Sequence, residues 1–114
     1  MKIENRYTRE IIYENKKINN IKELVEEAIL KWISLKDADL SGADLSGANL
    51  KYGNLKDADL RLSNLDYIDF KSTNLSGADL SGASLRSTIL YSFYHIGIII
   101  TDDNDIRGMR VYRN

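Results

Sequence analysis

The chain has 114 residues, 43% hydrophobic and 29% charged, with a formal net charge of −1. That length makes one domain the prior, and the near-balanced charge excludes a global field drawing the protein to nucleic acid. It contains no cysteine, which removes disulfides, thiolate metal sites and cysteine nucleophiles together. No apolar run reaches membrane-spanning length and no signal-peptide core stands at the N-terminus, so a soluble cytoplasmic protein without membrane contact is the default expectation.

In chain order, residues 2–17 read as a β-hairpin. Lys2 to Tyr7 and Ile11 to Lys16 are rich in Ile and Tyr, with Thr8-Arg9-Glu10 as the connection. A helix follows. Asn20 is placed to cap it, with Glu23 three residues on, and Ile21, Leu24, Val25, Ala28, Ile29, Trp32 and Ile33 recur at helical spacing. Trp32 is thereby assigned to the packed face of the helix. Residues 1–32 form the N-terminal hairpin and capping helix.

Residues 33–92 carry a period of five. The third position of each block is Leu35, Leu40, Leu45, Leu50, Leu55, Leu60, Leu65, Phe70, Leu75, Leu80, Leu85 and Leu90, without insertion or deletion. Five fits neither an α-helix nor a flat strand, and the interspersed glycines weaken a helix by roughly 1 kcal/mol each. A coiled path that turns once per block satisfies the pattern. Each Leu points inward, joined by a small residue two positions earlier (Ala38, Ala43, Ala48, Ala58, Ala78, Ala83). Ser63, Thr73 and Thr88 share those inward positions, where each hydroxyl requires a backbone partner.

Blocks such as Ala38-Asp39-Leu40-Ser41-Gly42, Ala43-Asp44-Leu45-Ser46-Gly47 and Ala78-Asp79-Leu80-Ser81-Gly82 closely resemble those of the pentapeptide-repeat proteins. The resemblance implies an all-β solenoid, here with one capping helix. It is a right-handed quadrilateral β-helix with four blocks per coil, hence about three coils stacked about 4.8 Å apart. Columns then repeat every 20 residues, which puts Asp39, Asp59 and Asp79 in one line. Ile68 replaces the usual Ala beside Phe70.

Beyond Leu90 the period breaks, with His95 where a Leu should stand. Ile96 to Thr101 and Ile106 to Tyr112 read as two strands around an Asp102-Asp103-Asn104-Asp105 turn. Residues 93–114 are therefore expected to form a C-terminal hairpin cap on the same folding unit. Its apolar residues Phe93, Tyr94, Ile96, Ile98 and Ile100 are the candidates for a homodimer contact, since relatives of this family commonly dimerise through their C-terminal ends.

Little in the chain suggests catalysis. His95 is the sole histidine, the serines are spread as turn residues, and no nucleophile-elbow pattern surrounds any of them. The acidic run at 102–105 fails the calcium-loop order, with Arg107 at the fifth position and Asn114 at the twelfth counted from Asp103. No metal or cofactor is expected, and an enzyme is the last of three readings. The surface hint is charge placement. Asp39, Asp44, Asp59, Asp66 and Asp79 share two adjoining faces with only Arg61 and Arg86, whereas the other two carry Lys36, Lys51, Lys56 and Lys71 against Asp37, Asp57 and Asp69.

The leading reading is a non-enzymatic protein-binding module with those five aspartates as its contact. By analogy with accessory proteins of phages and mobile elements, it blocks a bacterial host machine such as a defence system, in an anti-CRISPR-like manner. The partner is then a host protein with a basic, nucleic-acid-binding surface, and the chain itself touches no nucleic acid. The alternative comes from family members that mimic duplex DNA and act on DNA gyrase. This chain departs from them in its three short coils, its mild acidity and its uninterrupted blocks.

Overall fold

The structure is a computed structural model and describes residues 1–91 and 95–113. Its repeating unit is a short extended segment followed by a tight turn. Ala38 N donates to Leu35 O, Ala43 N to Leu40 O and Ala58 N to Leu55 O, each at 3.1 Å, closing the turn over the fourth and fifth residues of a block. The fifth residue adopts the left-handed conformation, at φ 61° in Asp37, 69° in Gly42, 68° in Tyr52, 60° in Leu62 and 71° in Gly77. A turn of this kind demands positive φ at its third residue, which explains the five-residue recurrence of glycine.

Between turns the backbone pairs in parallel with the segment 20 residues on, as Asp39 with Asp59 and Asp59 with Asp79. Leu40 N donates to Asp59 O and Leu60 N to Asp79 O, while Asp59 N and Asp79 N donate back to Ala38 O and Ala58 O, all between 2.8 and 3.0 Å. All twelve third-position residues from Leu35 to Leu90 are buried. The three inward hydroxyls find the required carbonyls. Ser63 donates to Leu60 O (2.6 Å), Thr73 to Leu50 O (2.9 Å) and Thr88 to Leu85 O (2.8 Å).

The first coil is closed by the N-terminal segment. Strands β1 (Lys2–Glu4) and β2 (Ile11–Glu14) form an antiparallel pair, shorter than the sequence suggests. The chain just past β1 then pairs antiparallel with the coil: Asp39 N donates to Glu4 O and Arg6 N to Asp37 O. The edge that would be open on this face is thereby paired. Helix α1 (Ile21–Leu30) has Glu23 N donating to the Asn20 side chain (3.2 Å), and it buries Leu24, Val25, Ala28 and Ile29. From this helix Glu26 accepts from Asn49 N (2.8 Å), supplying a partner to another edge group. Glu27 accepts from Tyr13 and Asn15, which ties hairpin to helix.

Two expectations are corrected. Trp32 does not pack under the helix but is 78% exposed. The helix ends in a Schellman motif, in which Ile33 N donates to Ala28 O and Trp32 N to Ile29 O (both 2.9 Å). Trp32, at φ 58°, occupies the left-handed position of that motif, and the reversal throws its indole outward.

The second correction is the C-terminal hairpin at 93–114, which does not form. Strand β3 (Ile89–Tyr91) pairs in parallel with β4 (Arg110–Tyr112), and Ile99 and Asp105 pair in parallel with Asp79 and Ser84. This segment extends the stack by a fourth level, its offset growing from 20 residues at Ile99 to 21 at Asp105. Asn104 accommodates the extra residue by donating to Leu80 O (2.7 Å) and Ala83 O (2.8 Å), and Gly97 and Gly108 supply left-handed corners. Among the described residues of this level Ile98 and Met109 pack against the core, while other apolar side chains remain exposed. Ile100, Ile106 and Val111 are 40%, 49% and 55% exposed.

His95 fills the Leu position of that level and is buried. Its Nδ1 accepts from Tyr91 N (2.9 Å), so Nε2 carries the proton and donates to Phe70 O (3.1 Å) and Thr73 O (3.0 Å). Every ring nitrogen is satisfied by backbone, and burial pushes the imidazole below its ordinary pKa despite the two carbonyls that favour its proton. Its geometry is that of a core histidine held neutral.

Two predictions follow from this packing. Gly53 stands where other blocks have Ala, and a Cβ there would meet Ile29 Cδ1 at 2.8 Å and Leu50 O at 3.0 Å. Gly53→Ala should push the Ile29 side chain out of this contact and destabilise the protein by about 1 kcal/mol in urea denaturation, the low end of an overpacking cost. A midpoint equal to wild type would contradict the close helix contact. For His95, folded and unfolded states are both neutral above the ordinary value of 6.5. As pH falls below it the unfolded chain takes up a proton that the folded chain resists, so stability is lost towards acid. Because His95 is the sole histidine, the melting temperature should fall from pH 7 to pH 5.5 in wild type and stay flat in His95→Gln.

Candidate interaction surface

The second residue of a block points outward, and its side chain caps the corner that follows. Asp39 Oδ1 accepts from Ser41 N, Asp44 from Ser46 N, Asn49 from Lys51 N, Asn54 from Lys56 N and Asp79 from Ser81 N, at 3.0–3.2 Å. This is the Asx turn, which Asp and Asn form because the carboxylate or amide oxygen reaches the backbone two residues on. Much of the acidity of the blocks is therefore built into the corner.

The column Asp39, Asp59, Asp79 exists as the repeat register requires, with parallel pairing at both steps. Its charges are largely met by arginines. Arg9 bonds Asp39 at 2.7 Å, and Arg61 grips Asp59 with two bonds of 2.8 and 2.7 Å. The Arg9 hydrogen bond holds the Asp39 carboxyl below the usual range, and the Arg61 bond does the same for Asp59, in both cases against the opposing effect of burial. Asp59 is only 3% exposed.

Asp66 lies on the next face and is enclosed. Its role was not legible from its own block. The block at 83–87 has Ser84 in place of an Asp or Asn, and Asp66 supplies the missing cap from the coil before it. It accepts from Arg86 N (2.9 Å) and Ser84 Oγ (2.6 Å), and its other oxygen takes the Arg86 guanidinium at 2.5 and 2.9 Å. Burial alone would raise the Asp66 carboxyl, but the bonds from Arg86 and Ser84 outweigh it and hold the group ionised. On the same face Asp105, paired with Arg107, is held down at about 2.

Of the five candidate aspartates, Asp44 and Asp79 remain without an arginine or lysine partner among the described residues. Asp44 is exposed and Asp79 half-buried, each bonded to the serine two residues on. Exposed Asp102 and Asp103 lie at the wide corner of the last level and extend the free negative charge. Of the candidate dimer contacts, Phe93 and Tyr94 lie outside the described residues. Ile96 is 66% exposed and Ile100 40%, while Ile98 packs against the core.

On the other two faces Lys36, Lys51, Lys56 and Lys71 are all exposed. Among the described residues none pairs with a carboxylate. Sequence reading missed the exposed pair Trp32 and Tyr52 at the corner between these faces, whose ring centroids are 6.3 Å apart. The fifth-position placement of Tyr52 could have signalled that its ring stands outside.

Comparison with known proteins agrees with this geometry. The family model described as pentapeptide repeats matches residues 28–66 and 54–91, with eight copies. Among solved structures, the chain is similar to alr5209, a pentapeptide repeat protein from Nostoc PCC 7120. The two share 29% identity over 83% of this chain and 78% of that one, with a TM-score of 0.52. It also matches HetL, a pentapeptide repeat protein involved in heterocyst differentiation regulation in the cyanobacterium Nostoc sp. strain PCC 7120. Here identity is 30% over 63% of this chain and 35% of that one, at a TM-score of 0.32. No curated protein matches the chain. The family's fold is the right-handed quadrilateral β-helix, and its members are in general non-enzymatic modules of the protein-interaction type. With more than half of its length matched, the chain belongs to the pentapeptide-repeat family.

Proposed function

We propose that the protein acts by binding another protein through its acidic faces, with Asp44 and Asp79 as the free charges at the contact. The partner is a host protein with a basic, nucleic-acid-binding surface. Binding blocks it, in the way small inhibitors from phages and mobile elements block a bacterial defence system. The single observation that carries this reading is the stiff backing of those charges. Each sits on a corner cap within a parallel ladder over a filled core, so presenting it costs little conformational entropy. A contact between two copies through residues 95–112 adds to the proposal. What supports it is the exposure of Ile96, Ile100, Ile106 and Val111 at the open end.

The acidic contact is tested with Asp44→Asn combined with Asp79→Asn. The amide oxygens keep the corner caps, so the fold should survive. Association with a partner captured from bacterial lysate should slow about tenfold, or roughly 1.4 kcal/mol, and wild-type binding should weaken as salt rises. Unchanged association would remove these aspartates from the interface, and inhibition of gyrase supercoiling by the purified protein would favour the duplex-mimic alternative. The self-contact is tested separately. Wild type should sediment as a dimer at micromolar concentration and Ile100→Asp combined with Val111→Asp as a monomer, whereas a monomeric wild type would exclude it.

A further inference from the structure

The corner between the lysine-bearing faces combines three observations. Leu30, Trp32 and Tyr52 are 79%, 78% and 66% exposed, and the two rings lie beside each other. Both aromatic residues have left-handed backbone, φ 58° and 68°, where a bulky side chain is disfavoured and glycine would be free of strain. Glycine is the usual occupant of the Schellman position that Trp32 holds. Neither packing nor backbone preference accounts for an exposed tryptophan there, since both would be better served by a smaller residue.

Two open grooves flank Tyr52, with Ile29 contributing to both. One, of about 320 Å³, is also lined by Leu30 and Lys51. The other, of about 220 Å³, is lined by Trp32, Ile33 and Asn54. The surrounding charge is weakly basic, with four lysines against Asp37, Asp57 and Asp69 on the two faces. Lys51 and Lys71 lie on one side of the corner and Lys36 and Lys56 on the other, none paired among the described residues. Of the helix acids, Glu27 is paired with Lys31 at 3.1 Å, whereas Glu26, which accepts from Asn49 N, keeps its charge in the groove beside Lys51.

We infer that this corner is a second interaction surface, whose occupant is an acidic protein segment carrying aromatic or large apolar side chains. The grooves take the apolar side chains, exposed Trp and Tyr supply the rigid anchors typical of energetic centres in interfaces, and the lysines meet the carboxylates. A single-stranded nucleic acid fits less well. The rings are tilted by 44° and do not form a parallel stacking platform. This surface is independent of the acidic faces proposed above.

The test uses a random Glu/Tyr copolymer, with polyglutamate and oligo(dT) as comparisons. Trp32 is the sole tryptophan, so its emission reports directly on the corner. The copolymer should shift that emission to shorter wavelength and bind about tenfold more tightly than polyglutamate by calorimetry. Trp32→Gly should weaken copolymer binding about tenfold while melting at or above the wild-type temperature, and Lys51→Ala with Lys56→Ala should weaken it similarly. Asp44→Asn with Asp79→Asn should leave it unchanged, which separates this surface from the acidic contact. The inference is overturned if the copolymer leaves the emission unmoved, if polyglutamate binds equally well, or if oligo(dT) binds more tightly than the copolymer. It is also overturned if Trp32→Gly binds like wild type.

Discussion

The left-handed residue at the fifth position of each block from Asp37 to Ser87 is the constraint on which the structure depends. It turns the chain, sets the block length and keeps each Leu pointing inward. For a residue other than glycine that conformation costs roughly 1–2 kcal/mol, yet Asp37, Tyr52, Asp57, Leu62, Tyr67, Ser72 and Ser87 all adopt it. What holds them there is the pairing on either side of the corner and the buried residue before it. Each fully buried Leu contributes about 1.5–3 kcal/mol, enough to offset one strained corner per block. The corner caps from Asp and Asn then fix the turn further.

The same constraint decides where large side chains can stand outside. A left-handed residue projects from the corner, so Tyr52, Leu62 and Tyr67 are all largely exposed. For Leu62 and for Asp57 the space is provided by the glycine one coil on. A Cβ on Gly82 would come within 2.7 Å of Leu62 Cδ2, and one on Gly77 would overlap the Asp57 carboxylate. Glycine in one coil thus permits a bulky or charged corner in the coil next to it. Corners are where this fold can acquire a binding surface without disturbing its interior.

Much of this was legible in the sequence because it is local or strictly periodic. The Leu columns, the inward hydroxyls and the Asn20 cap follow from spacing and residue type alone. Three features were not legible, each for a physical reason. Trp32 continues the helical periodicity, but the helix terminates two residues earlier and the backbone changes hand. Asp66 caps a corner in another coil, a role that depends on stacking and on Ser84 lacking a side-chain carboxylate or amide oxygen. The last level was hidden because His95 and Asn104 take inward positions through hydrogen bonds instead of apolar packing. An extra residue then shifts the register by one, although Gly97 and Gly108 still mark its corners.

The division of the tower into an acidic half partly met by arginines and a lysine-bearing half has a simple origin within the block. Second and fourth residues point outward side by side, so the second residue decides the fate of a charge at the fourth. Where it is Asp and the fourth is Arg, the pair closes on itself, as in Asp59–Arg61 and Asp105–Arg107 at 2.7 Å. Where it is neutral, the cap forms equally well but leaves the charge free, as in Ser34–Lys36, Asn49–Lys51 and Asn54–Lys56. Asp69–Lys71 departs from this, because Asp69 also accepts from Tyr91 and no lysine contact forms. Arg86 follows neutral Ser84 and is met instead by Asp66. Asp and Asn serve the corner alike, so the choice between them is free to set surface charge, and that freedom separates the faces of this protein chemically while their backbones remain the same.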